Sequence, residues 1–127
     1  MQTLPDFDEW VREEFARGAF TALILVVDIG EETVEPVAST YLHVIGDEIG
    51  WKAMREMLKG APNKWNAAAF FVSRGEKGGP VADMLAKVRL LDTEERVRAD
   101  RLVLNESAFF DAKGRRMIVE EADTTRH

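Results

Sequence analysis

With 127 residues, 46% hydrophobic and 31% charged, the chain has the size of one compact domain and enough apolar content to bury a core. It holds no cysteine, which excludes disulfides, thiolate metal sites and cysteine nucleophiles, and its net charge of -6 argues against generic nucleic-acid binding, which needs a basic surface to neutralise phosphate. The acidic excess lies in the first half, where residues 1–64 carry 6 Lys/Arg against 12 Asp/Glu while residues 65–127 carry 11 against 11.

The opening M-Q-T-L-P-D-F-D-E-W has no basic and then apolar leader pattern, and the longest apolar run, Ala22 to Val27, falls far short of the ~20 residues that cross a bilayer. The expectation is an untargeted cytoplasmic protein with no membrane contact. From Asp6 to Gly18 the spacing of Phe7, Trp10, Val11 and Phe15 predicts an amphipathic helix. Asp6 with Glu9 resembles a capping box, and Gly18 suits a left-handed helix end. Trp10 belongs to the core stripe of this helix or to a partner contact.

Phe20 to Ile29 is a continuous apolar, β-rich run and predicts a buried strand ending at Asp28. An acidic connection, Gly30 to Pro36, follows; its glutamates lack the D-x-[DN]-x-[DN]-G calcium pattern, so no metal is expected. Val37 to Ile45 predicts a third strand, paired with the preceding one as an antiparallel hairpin. A helix through Glu48 and Ile49 to Lys59 comes next, with Asp47 as its cap and Gly60 and Pro62 closing it. Its expected inner stripe is Ile49, Ala53, Met54, Met57 and Leu58, which leaves Trp51 off-centre as a candidate interface aromatic.

Trp65 to Val72, W-N-A-A-A-F-F-V, is apolar on both sides of an extended chain and predicts the central strand, with bulky groups from elsewhere lying over its alanines. It empties into a glycine-rich loop, Ser73 to Pro80, and then a helix from Pro80 to about Leu91 with Val81, Met84, Leu85 and Val88 at helical spacing. The segment from Val88 to Leu104 reads as the helix end, a polar loop and a strand from Arg96 to Leu104, or else as a hairpin turning at Asp92 to Glu95; the first is adopted. Ser107 to Asp111 and Arg115 to Glu120 flank Ala112-Lys113-Gly114 as a hairpin, and residues 122–127 form a frayed polar tail. No internal repeat divides the chain. The fold expected is α+β, a mostly antiparallel sheet of about five to six strands covered by two to three helices in a single domain over residues 1–127.

No catalytic set stands out. His43, with Asp28 or Asp47, offers an imidazole and carboxylates for acid/base work. Lys77, Gly78 and Gly79, between a strand and a helix N-terminus, have the ingredients of an anion site, although G-x-x-x-x-G-K-[ST] and G-x-G-x-x-G are both absent. Arg96, Arg98, Arg101, Arg115 and Arg116 are interleaved with Glu94, Glu95, Asp100 and Asp111 and read as solvated surface. The leading expectation is therefore a non-catalytic protein-interaction or adaptor module without cofactor, self-associating or binding a protein partner through Trp51, Trp10 and its acidic first half. The alternative is a small-ligand binder or small enzyme that uses the Gly75 to Gly79 loop with Lys77 and His43.

Overall fold

The computed structural model describes residues 6–31, 33–61 and 64–119. Glu32, Pro62, the expected strand end at Glu120 and the tail 122–127 lie outside the described residues. The elements in chain order are α1 (Asp6–Phe15), β1 (Phe20–Ile29), β2 (Val34–Val44), α2 (Trp51–Leu58), β3 (Ala67–Ser73), α3 (Asp83–Ala99), a 3-10 helix (Arg101–Glu106), β4 (Ala108–Asp111) and β5 (Arg116–Met117). The strands form one five-stranded antiparallel sheet in the order β2-β1-β3-β4-β5. The fold is α+β.

The alanine-rich strand is interior, with β1 on one side and β4 on the other. Side chains alternate between two cores. Ala22, Ile24, Val26, Ala68, Phe70 and Phe110 face α1 and α2, whereas Leu23, Leu25, Val27, Ala67, Ala69 and Phe109 face α3 and the 3-10 helix. Ala68 pairs with Phe110 and Ala69 with Phe109, so small residues on β3 lie beside large ones on β4 and each face stays filled without overcrowding. The antiparallel hairpin of β1 and β2 holds, and β2 begins at Val34, with a register irregularity at Val26/Val27 that accommodates Pro36.

Two asparagines bond backbone neighbours through their side-chain amides. Asn66 Oδ1 accepts the amide of Ile29 at 2.8 Å while its Nδ2 donates to the Ile29 carbonyl at 3.0 Å. Asn105 does the same to Val119, at 2.7 and 2.8 Å. A primary amide has the donor and acceptor of a peptide unit, so Asn66 stands in for one more residue before β3, while Asn105, in the 3-10 helix, pairs in the same way with the chain just after β5.

Four sequence expectations are corrected. Helix α2 starts at Trp51 behind Gly50, and Asp47 does not cap it; the cap comes from α1, where Asp8 Oδ1 accepts the Trp51 amide at 2.7 Å. Its inner face is accordingly Trp51, Met54 and Leu58, with Ala53 and Met57 outside. Arg96 to Leu104 is not a strand: α3 continues to Ala99 because Ala86, Leu90, Thr93 and Val97 repeat at helical spacing against the sheet, and Asp100 then caps the 3-10 helix by accepting the Leu102 amide at 3.0 Å. Finally, Met84, Leu85 and Val88, which predict α3 from sequence, lie on its outer face.

The β4–β5 hairpin turns through Gly114, at φ +80°, where an added Cβ would lie 2.6 Å from the Trp51 ring. Gly18 also has positive φ, at +117°, but opens onto free space. Gly114→Ala is therefore expected to cost about 2–4 kcal/mol in a denaturant titration, from strain plus overlap with a buried indole, and Gly18→Ala only about 1 kcal/mol from strain. Equal costs would contradict this packing.

Candidate functional site

The sequence candidates fall at different ends of the sheet. Thr21 of β1 pairs with His43 of β2 on one side and with Ser73 of β3 on the other, so His43 and the start of the glycine loop flank one strand end. Asp28 pairs with Glu35 near the other end of β1, seven residues and roughly 23 Å of strand away, out of reach of His43. Asp47 is exposed in a bend, and it is not a hydrogen-bond partner of the imidazole.

Both nitrogens of His43 are engaged. Nδ1 lies 2.8 Å from Thr21 Oγ1 and Nε2 lies 2.7 Å from Oδ1 of Asp83, at the start of α3. Thr21 Oγ1 also accepts the amide of Val81 at 3.0 Å. With the imidazole neutral and its proton on Nε2, the chain runs in one direction: the Thr21 hydroxyl donates to Nδ1, and Nε2–H donates to Asp83. The Tyr41 ring packs beside His43, its centroid 5.5 Å away. Burial, then the neighbouring Asp83 charge, pushes the Tyr41 hydroxyl above its usual range. The hydrogen bond from His43 is the main cause holding the Asp83 carboxyl below the usual aspartate range.

Hydroxyl, imidazole and carboxylate thus stand in the order of a nucleophilic triad, but with the exposures reversed. In such a triad the carboxylate is buried and the hydroxyl meets substrate. Here Thr21 is fully buried, His43 is 34% exposed and Asp83 is 70% exposed. No substrate atom reaches the hydroxyl. The arrangement ties β1, β2, the residue after the glycine loop and the first turn of α3 together; it is a structural latch.

The glycine loop closes on itself. Gly75 N donates to the Gly79 carbonyl and Gly78 N to the Gly75 carbonyl, each at 3.0 Å, and Gly78 and Gly79 hold φ of +85° and +77°. Lys77 is exposed on this turn, and the first residue of the following helix is the anionic Asp83. A carboxylate at the helix start, with two loop amides already donated internally, disfavours an anion there. Arg74, beside the loop, is structural: its guanidinium donates to Glu14 Oε2 at 2.8 Å and to the carbonyls of Glu14 and Gly18, and it lies 5.3 Å over the Phe20 ring.

The expected interface aromatics turn inward. Trp51 is 6% exposed, donates from Nε1 to the Ala112 carbonyl at 3.1 Å and packs on Phe7. Trp10 is half-buried among Phe7, Phe20, Phe70 and Phe110. Much of the acid of α1 is likewise engaged within the fold, since Asp6, Asp8 and Glu14 bond the Arg116 amide, the Trp51 amide and the Arg74 guanidinium.

Among the described residues, cavities open on the α1/α2 side of the molecule. One, about 400 Å³, is a groove lined by Ile24, Val26, Ala38, Met57, Leu58 and Ala61 with Ser39 and Thr40 at its polar rim; another, about 450 Å³, lies at the start of α2 beside Asp8, Lys52, Arg55 and Lys59. Neither is lined by His43, Asp47 or Lys77. Among the described residues no three His, Asp or Glu side chains converge as a cation site, and no helix is long and apolar enough to cross a membrane.

What sequence reasoning missed is the outer face of α3. Met84, Leu85, Val88 and Leu91 are 78, 40, 57 and 64% exposed, while Ala86, Leu90, Thr93 and Val97 are buried on the opposite side. The helix is apolar on two faces. Its signal was available: a helix covering one side of a sheet needs one apolar stripe, and this one has two. No protein-family model matches the chain, nor does any curated protein or solved structure.

Two predictions test the latch. Thr21→Val removes the acceptor of a buried amide and is expected to cost about 1–3 kcal/mol and to speed hydrogen exchange at Val81, while Thr21→Ser restores both; unchanged exchange in the valine variant would refute the assignment. Because the folded state lowers the Asp83 pKa, the stabilisation it gives is complete above the unfolded aspartate value of about 3.9 and fades as pH falls through the lower folded value. Asp83→Asn should therefore destabilise at neutral pH and show a shallower acid-side loss of stability below about pH 4 than the parent; parallel curves would count against it.

Proposed function

We propose that the protein is a non-catalytic interaction module whose contact surface is the outer face of α3. The observation that carries this reading is the exposed strip of Met84, Leu85, Val88 and Leu91 on a helix whose opposite face already covers the sheet. Those exposed fractions amount to on the order of 400 Å² of apolar surface in one strip, within the range of the largest patch a monomer leaves bare. Scattered single apolar residues need no partner; four on two turns of one helix face are a contact surface. The same reading accounts for the lack of a reactive site at His43, whose ring nitrogens both serve the latch. The anion-binding alternative through Lys77, Gly78, Gly79 and His43 draws no comparable support, for the reasons of charge and hydrogen bonding given above.

A photo-crosslinking residue in place of Val88 is expected to give protein adducts on irradiation in cells, and one in place of Glu13, exposed on α1, none. Absence of any protein adduct from position 88 would overturn the reading.

A further inference from the structure

We infer that the occupant of this face is a second copy of the chain, docked helix against helix with the two α3 segments antiparallel about a two-fold axis between Val88 and Leu91. This rests on the interaction reading above and names its partner.

Met84, Val88 and Leu91 recur at spacings of four and three, the pattern of a helix-pairing seam, and the next positions in that pattern are Glu95 and Arg98. Orientation follows from the charges. A parallel pair would set Glu95 on Glu95 and Arg98 on Arg98 of the other copy, two like-charge contacts on the seam. An antiparallel pair sets Val88 against Leu91, brings the methylenes of Glu95 over Met84, and places Lys87 alongside Glu94 of the other copy, twice by symmetry.

The flanking charges are prepared for this. Glu94 is held at the edge of the strip by Ser39, whose hydroxyl donates to Oε2 at 2.6 Å, and by Arg98 at 3.3 Å from Oε1. Lys87 is exposed and has no ion-pair partner within 4.0 Å among the described residues. One copy therefore presents a fixed carboxylate and a free ammonium on the same flank of one helix, and a two-fold operation brings each to the other.

The size of the strip fits a weak, transient association. Two such strips bury roughly 800 Å² of apolar surface, and the flanking side chains bring the total to about 1,200 Å², the low end for specific association. The dimer is then a micromolar one, with a Kd on the order of 1–100 µM.

Sedimentation velocity on the full chain from 1 to 500 µM, concentrations chosen to span that range, should show a monomer–dimer equilibrium, which Val88→Asp weakens by about 100-fold or more while leaving the thermal melt of the dilute, monomeric chain unchanged, because Val88 lies outside both cores. Orientation is read by disulfides, the parent having no cysteine to interfere. In the antiparallel pair the two Met84 positions are roughly 16 Å apart along the helices, so oxidised Met84→Cys should remain uncrosslinked alone and form a mixed disulfide with Glu95→Cys. A monomer at every concentration, an equilibrium indifferent to Val88→Asp, or efficient self-crosslinking of Met84→Cys would each overturn the inference. Heterologous adducts from position 88 on a strictly monomeric chain would overturn it while leaving the interaction reading in place.

Discussion

The ring of Phe7 lies within 5.8 Å, centroid to centroid, of Trp10, Trp51, Phe70 and Phe110, and so contacts α2, β3 and β4 as well as its own helix. The residues on either side of it extend that reach. Asp6 accepts the Arg116 amide on β5 at 2.7 Å, Asp8 caps α2 through the Trp51 amide at 2.7 Å, and the Phe7 amide donates to the Gly114 carbonyl at 3.1 Å. Three consecutive residues thereby fix the far edge of the sheet, the second helix and the final hairpin to one another. Acidic residues in a first helical turn ordinarily favour their own helix dipole; here two of them serve amides on other elements. The aromatic core is complete only when these polar contacts hold α1 at this height and angle.

The opposite face of the sheet is organised differently. Its apolar layer is mainly Leu, Val and Ala with Phe71 and Phe109 beneath α3, and the helix is further positioned by polar contacts: His43 with Asp83, Ser39 with Glu94, and Arg89 with Ser73. Hydrogen bonds are directional where apolar contact is not, so these contacts set the rotation of α3 about its own axis. That rotation decides which stripe faces water. The residues with the chemistry of a reactive site serve this task.

Much of the sheet was legible in the sequence because β1 and β3 are apolar on both sides, a pattern that only an interior strand bears, and because β2 and the last hairpin carry ordinary strand and turn chemistry. The contents of the site were less so. Trp51 seemed off-centre because the expected stripe counted Ile49, Ala53 and Met57, whereas Ile49 precedes the helix and Ala53 and Met57 face outward; the group that caps the helix, Asp8, lies 43 positions before Trp51. The end of α3 was obscured since Arg96 to Asp100 alternates charged and apolar residues, as an extended segment would, and the packing of Val97 on the sheet resolves it as helix. The outer stripe of the same helix shared its spacing with the inner one, and periodicity alone does not say which of two apolar faces a sheet will take.

The side-chain amides of Asn66 and Asn105 bind Ile29 and Val119 by imitating a peptide unit, and that imitation depends on a nitrogen that water can remove. Hydrolysis to the acid would leave oxygens facing the carbonyls of Ile29 and Val119, turning attraction into repulsion at one end of each pairing. Both sites are exposed, so the chemical ageing of this protein would be felt first as fraying at two strand ends, far from the aromatic centre that holds the remainder in place.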